Sequence, residues 1–357
     1  MKRRKSAKRA DIAVLPAQKP TVLLANLREL ILHAREGVAR AVDSGLTTLY
    51  WHVGQRIRQD ILKARRADYG GQIVALLGRQ LEAEFGRGFG EKNLRRMIQF
   101  AEVFPGREIV ASLMRQLTWT HFIELMPLDK PLQREFYAEM CRVERWSVRT
   151  LRQKINGMLY ERTALSRKPK KLAALELKQL REEDKLTPDL VFRDPYILDF
   201  LGLKDSYAEK DLEGAILREM EAFILELGMG FCFVARQHRM QIDDRDYYLD
   251  LLFYHRKLRR LIAIDLKLGK FEAADKGQME LYLGWLKRYA SEPDESEPLG
   301  MILCAGKSAE HIALLELQKS GIHVASYWTK GLPKKELERK LHEAVRLARV
   351  RLEPAKD

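Results

Sequence analysis

YYLDLLFYHRKLRRLIAIDLK, residues 247–267, contains two runs rich in aromatic and β-branched side chains around a short basic connection. That composition predicts two strands joined as a hairpin. On the second strand residues two apart share a face, so Asp265 and Lys267 point one way while Ile262, Ile264 and Leu266 point into the opposite layer. The first strand carries Asp250 in an otherwise apolar run, and pairing of the two strands is able to bring it beside Asp265. Two neighbouring carboxylates repel unless a cation lies between them. A hard divalent ion such as Mg²⁺ or Mn²⁺ takes carboxylate oxygens and keeps several waters, which leaves room for a phosphate and an attacking water. Lys267 then polarises that water or stabilises developing negative charge. An Asp-x-Lys triplet also serves as a plain structural ion pair, so its surroundings decide between the readings.

Working outward, DLEGAILREMEAFILELG (211–228) reads as a helix and FCFVARQHRM (231–240) as a strand before the hairpin; Asp243, Asp244 and Arg245 form the turn between. After it come a helix at 274–290, a strand LGMILCA, a helix SAEHIALLELQKSG and a strand HVASYW, so the order is αβββαβαβ. The helix at 274–290 sets Gln278 and Tyr282 on one face, four residues apart, where a polar pair can support the site or touch substrate. Glu213 lies on the same helical stripe as Ile216, Leu217 and Met220, an apolar side on which a carboxylate is unexpected. This α/β domain spans 189–345.

In front of it the pattern is helical throughout 21–162, with Pro105, Pro127 and Pro131 falling between helical runs. Residues 1–20 hold seven Lys and Arg and two Pro, a composition that predicts a disordered basic arm. Residues 163–188 read as a linker and a charged helix. Within the helical domain, one helix, a turn at Gly86, Gly88 and Gly90, and a second helix bearing Lys92, Asn93, Arg95, Arg96 and Gln99 resemble a helix-turn-helix, in which the second helix enters the major groove. Basic helix faces are more often merely solvated.

The 357 residues suit two domains, and 64 Lys and Arg against 50 Asp and Glu give a net charge of +14, a field that attracts polyanions, nucleic acid first among them. Three scattered cysteines, Cys141, Cys232 and Cys304, suggest neither a disulfide framework nor a zinc site and fit a reducing cytoplasm. No apolar run is long enough for a signal peptide or a membrane span. GMILCAGKS fails as a phosphate loop because the residues between Gly300 and Gly306 form an apolar strand whose N–H groups are committed to a ladder. The eight histidines show no metal-site spacing.

The stretches DLEGAILREMEAFILELGMGFCFVARQHRM, YYLDLLFYHRKLRRLIAIDLKLGKF and GQMELYLGWL resemble the PD-(D/E)XK nuclease domain of the YhcG family. YGGQIVALLGRQLEAEFGRGFGEKNLRRMIQFAEVFP and LTWTHFIELMPL resemble the helical domain of the DUF1016 type that precedes it there. The resemblance implies a restriction-endonuclease-like core, with Asp250 as the motif aspartate, Asp265 and Lys267 as the (D/E)XK pair, Gln278 and Tyr282 as the helix motif, and Glu213 as a further acid and third metal ligand. Relatives mostly carry Glu where this chain has Asp265, and either carboxylate serves. The implied activity is a Mg²⁺- or Mn²⁺-dependent endonuclease acting on DNA rather than RNA. A rival reading keeps the fold without chemistry, as a nucleic-acid-binding or assembly protein of a restriction or defence system. A protein partner of the α-domain and self-association into a homo-oligomer are further expectations under either reading.

Overall fold

The computed structural model describes residues 20–63, 67–114, 116–203 and 208–330, with Arg339 and His342. The basic arm expected over 1–20 lies, apart from Pro20, outside the described residues. The chain divides into two compact units, 1–119 and 120–357.

The first unit holds α1 (Pro20–Lys63), α2 (Ala67–Phe85), α3 (Glu91–Val103) and α4 (Arg107–Leu113). α1 is one 44-residue helix, with no proline after its first residue to break it. Its C-terminal half packs on α3, where Leu94, Met97 and Phe100 are fully buried. The approach is close enough to require glycine: a Cβ on Gly54 would lie 1.8 Å from the Met97 carbonyl oxygen. Trp51 Nε1 adds a hydrogen bond to Phe104 O at 2.8 Å. Between α2 and α3 the glycines at 86, 88 and 90 frame a short 3-10 turn, Arg87–Phe89, as expected of a turn between helices.

The second unit begins with α5 (Trp119–Leu125), α6 (Pro131–Glu144), α7 (Val148–Asn156), α8 (Leu159–Arg162), α9 (Lys170–Glu183) and α10 (Pro188–Val191). The helix expected within 163–188 is α9, and it is packed: Ala173, Leu177 and Leu180 are buried, and Arg181 reaches the fully buried Glu139 of α6 at 2.7 Å. There follow β1 (Tyr196–Ile197), α11 (Glu209–Arg218), α12 (Met220–Leu227), β2 (Phe231–Ile242), β3 (Arg245–His255), β4 (Arg260–Lys270), α13 (Ala273–Tyr289), β5 (Leu299–Gly306), α14 (Ala309–Leu314) and β6 (Ile322–Trp328). The helix read over 211–228 is broken at Glu219 (φ −105, ψ 33). With the break, Leu212 and Ile216 of α11 and Phe223 and Leu227 of α12 all enter one core.

The six strands form a single sheet in the order β1-β6-β5-β4-β3-β2, antiparallel through β2, β3 and β4 and parallel from β4 onward. β4 is central and buried on both sides, hence its near-continuous apolar run. Ile262, Ile264 and Leu266 pack with α11 and α12; Leu261 and Ala263 pack with Met279, Tyr282 and Leu286 of α13. The face of β4 that carries Asp265 and Lys267 is therefore the α13 face.

Gly54→Ala forces α1 and α3 apart and is expected to destabilise the first unit by about 1–3 kcal/mol or more. Gly37→Ala, with nothing within 4 Å of the added methyl, is expected to be neutral or stabilising by about 0.5–1 kcal/mol. Denaturant melts followed by tryptophan fluorescence compare the two; equal melts would contradict this account of the packing.

Candidate active site

β3 and β4 are paired from His255 and Arg260 to Leu251 and Ile264 and then part, while β4 keeps its ladder with β5 as far as Lys270 and Gly306. The next facing positions in that antiparallel register are Asp250 and Asp265. Where the strands fork, the Asp250 carboxylate replaces a strand partner: its Oδ2 accepts the Leu266 N–H at 2.8 Å. Side chain and backbone together fix Asp250 beside the Asp265-Leu266-Lys267 segment.

The Lys267 ammonium lies 2.9 Å from Asp265 Oδ2 and 4.0 Å from Asp275 Oδ1, and donates to Gln278 Oε1 at 3.4 Å. Gln278 Nε2 donates to the Tyr282 hydroxyl at 2.6 Å, which in turn donates to the Tyr248 carbonyl at 3.3 Å. Thus α13 holds Lys267 through a relay that ends on β3. Asp250, Asp265, Lys267, Gln278 and Tyr282 are all brought together. Glu213 arrives differently, because the Gln237 amide donates to Glu213 Oε2 and to Asp250 Oδ1, each at 3.0 Å. The third acid is thereby tied to Asp250 through an intervening side chain.

The sequence does not foretell Gln237. It sits in β2 with φ at +42, a left-handed conformation unusual for a non-glycine residue and typical of strained functional positions. Nothing in the string VARQHRM signals it. Asp275 is also a residue that the structure adds: it is the N3 residue of α13, where its carboxylate accepts the Glu272 N–H, and its E-x-x-D spacing is the one signal that points to it. Lys92, Asn93, Arg95, Arg96 and Gln99 lie on α3 in the first unit; Lys92, Arg95 and Gln99 are on the side opposite its buried residues, while Asn93 falls between Phe100 and Met97. Lys92, Arg95 and Gln99 are exposed and Asn93 and Arg96 half-buried; Arg95 is bonded to Glu91 at 2.7 Å.

Burial, opposed by the Lys267 hydrogen bond and charge, and reinforced by Asp250 and Asp275, pushes the Asp265 carboxyl up to about 6. Asp250 is raised as well, first by burial, against the Leu266 N–H and Gln237 that favour its ionised form. Burial pulls Lys267 down, but Asp265 outweighs it and the net shift is upward. The pair is thus short of positive charge even with Lys267 in place. Its donors are hard oxygens, with no sulfur or imidazole among them. Among the described residues no group of three or more Asp, Glu, His or Cys side chains is arranged to hold a metal. Two hard carboxylates suit Mg²⁺, which binds through one or two carboxylates and completes its shell with water and phosphate oxygens.

Residues 26–162 match the DUF1016 N-terminal domain and residues 189–343 the YhcG PDDEXK nuclease domain. The Escherichia coli (strain K12) protein named "Putative nuclease YhcG" is 36% identical over 336 residues, which cover 85% of this chain and 88% of that one. A crystal structure of a repair endonuclease from Pyrococcus abyssi overlaps 35% of this chain and 48% of its own at 18% identity and a TM-score of 0.26, an overlap too slight to bear on the fold. Among the described residues no helix is long and apolar enough to cross a membrane.

Because Asp265 is raised from 3.8 to about 6, the folded state holds its proton more tightly than the unfolded chain does. The charge therefore costs nothing below about 4, and its cost grows as pH rises to about 6 and stays constant above. Buried His255 and half-buried His323, both held down to about 4, act in the opposite sense over the same range, so the difference between two proteins isolates the carboxylate. In metal-free buffer, the stability of Asp265→Asn relative to wild type is expected to climb by roughly 1–3 kcal/mol between pH 4 and 6 and then level. Urea titrations at a series of pH values measure it; a flat difference would remove the buried-charge account.

Proposed function

This chain belongs to the YhcG nuclease family, and from that premise we propose that it is an endonuclease hydrolysing DNA phosphodiesters with Mg²⁺ or Mn²⁺, for which Asp250 and Asp265 would be the ligands. The observation that carries this reading is the facing of the two carboxylates across the β3–β4 fork, with Lys267 locked onto Asp265. When bound, the cation supplies charge neutralisation at the phosphate and an acidified water. Asp250 and Asp265 would hold it, and Asp250 is kept in place by the Leu266 N–H and Gln237. Lys267 presents its ammonium to the attacking water or to the phosphate oxygens on which charge develops. Gln278 and Tyr282 are positioning residues: they aim Lys267 through the relay from α13. Glu213 orients Asp250 by way of Gln237 and stands ready as a further ligand.

The first unit provides the grip on duplex DNA. Support comes from the exposed basic and amide side chains of α3 and from the net charge of +14. The face reads as phosphate-contacting, since Arg95 is already bonded to Glu91, and that bond must be exchanged when DNA binds.

Asp250→Ala and Asp265→Ala are each expected to reduce metal-stimulated cleavage at least about 100-fold with DNA affinity little changed. Lys267→Ala is expected to lose a similar factor in rate while still binding metal, since an ammonium is not a ligand. Cleavage of plasmid, linear, branched and single-stranded substrates across Mg²⁺ and Mn²⁺ titrations tests this, with folding checked by circular dichroism. A wild type that cuts nothing on that panel, or an Asp265→Ala variant as active as wild type, sinks the catalytic reading.

DNA affinity of the full chain is expected to fall steeply with salt. The Lys92→Ala, Arg95→Ala, Arg96→Ala triple variant should flatten the log–log slope by about 0.9 for each phosphate it no longer neutralises. Fluorescence anisotropy at several salt concentrations reads the slope, and an unchanged slope would rule out α3 as the grip.

A further inference from the structure

In α1 the residues that meet α3 cluster on one side: Thr47, Trp51 and Gly54 are buried, and Gly54 abuts the Met97 carbonyl. The opposite side carries a second apolar stripe. At about 100° per residue, Leu24, Leu27, Ile31, Val38, Val42 and Leu49 fall within an arc of roughly 60°. Every one of them is exposed, from Leu49 at 44% to Val38 at 65%. Small residues Ala34, Ala41 and Gly45 lie between them on the same side, also exposed, and a Cβ on Gly45 would meet nothing within 4 Å. An amphipathic helix ordinarily has one apolar face, turned to the core. This one carries a second, exposed along its whole length from Leu24 to Leu49, with Leu30, Leu32 and Leu46 exposed beside it.

We propose that this stripe, from Leu24 to Leu49, is the surface through which two copies of the chain associate, helix against helix. The stripe runs about 38 Å along the helix, and at these exposures its six large residues offer on the order of 550 Å² per chain. Two such faces together offer about 1,100 Å², just above the roughly 1,000 Å² that a specific interface must clear, and far more than a scattered exposed leucine contributes. A face whose apolar residues recur at spacings of three, four and seven is self-complementary, as a two-fold contact requires. The small residues at Ala34, Ala41 and Gly45 let the two backbones come close. Arg28 and Arg35 border the stripe on one flank and place like charges at the rim of the contact. Salt screens that repulsion, so association is expected to hold or tighten as ionic strength rises, opposite to binding of DNA.

Sedimentation equilibrium of the full chain, from nanomolar to tens of micromolar and at low and high salt, reads the oligomeric state directly. The expected result is a dimer that persists at high salt. Ile31→Glu with Val38→Glu is expected to give a monomer, whereas His33→Glu, on the far side of the helix, should remain dimeric. Should the double variant fold poorly, the wild-type thermal midpoint provides the second measure, since it must rise with protein concentration. A wild type monomeric throughout with a concentration-independent midpoint overturns the proposal, as does a dimer that the double variant leaves intact.

Discussion

Everything around the candidate site follows from two like charges held face to face where two strands separate. Asp250 and Asp265 occupy facing positions on β3 and β4 just beyond the last paired residues, Leu251 and Ile264. The sheet tolerates this because each charge has neighbours chosen for it. A backbone N–H and an amide serve Asp250, and an ammonium serves Asp265. Burial nonetheless leaves both carboxyls raised above their ordinary range. A site strained in that direction gains most from a bound cation, because the cation removes repulsion that the protein cannot remove by itself.

The outer residues are there to keep that arrangement rigid. α13 is packed on β4 through Met279, Tyr282 and Leu286, so its polar positions Gln278 and Tyr282 reach Lys267 from a fixed base. On the other side Gln237 accepts an unfavourable backbone conformation in order to span Glu213 and Asp250. Holding catalytic groups by side chains that are themselves locked is the common requirement of preorganised sites.

Much of this is readable in the chain itself. The strict alternation of LIAIDLK assigns Asp265 and Lys267 to one face and Ile262, Ile264 and Leu266 to the other, and the two cores confirm the division. The i, i+4 spacing likewise puts Gln278 and Tyr282 on one side of their helix. What the sequence hides depends on tertiary placement. Gln237 acts through a left-handed turn in a strand, for which glutamine gives no signal. The apolar stripe marks Glu213 as inward-pointing, yet only the fold reveals that an amide stands between it and Asp250. The break at Glu219 is set by how the halves of the helix reach the sheet, and α1 runs on through Gly45 because no proline follows its first residue.

The exposed stripe of α1 and the fork in the second unit are independent features, the first the basis of the proposed association and the second of the proposed chemistry. The central claim concerns the fork. Anomalous diffraction from crystals of the full chain soaked in Mn²⁺ tests it most directly. The account predicts one strong peak per chain, bonded to carboxylate oxygens of both Asp250 and Asp265, and absent from crystals of Asp265→Asn. No peak at the fork in the wild type, or a peak that survives in Asp265→Asn, would contradict it.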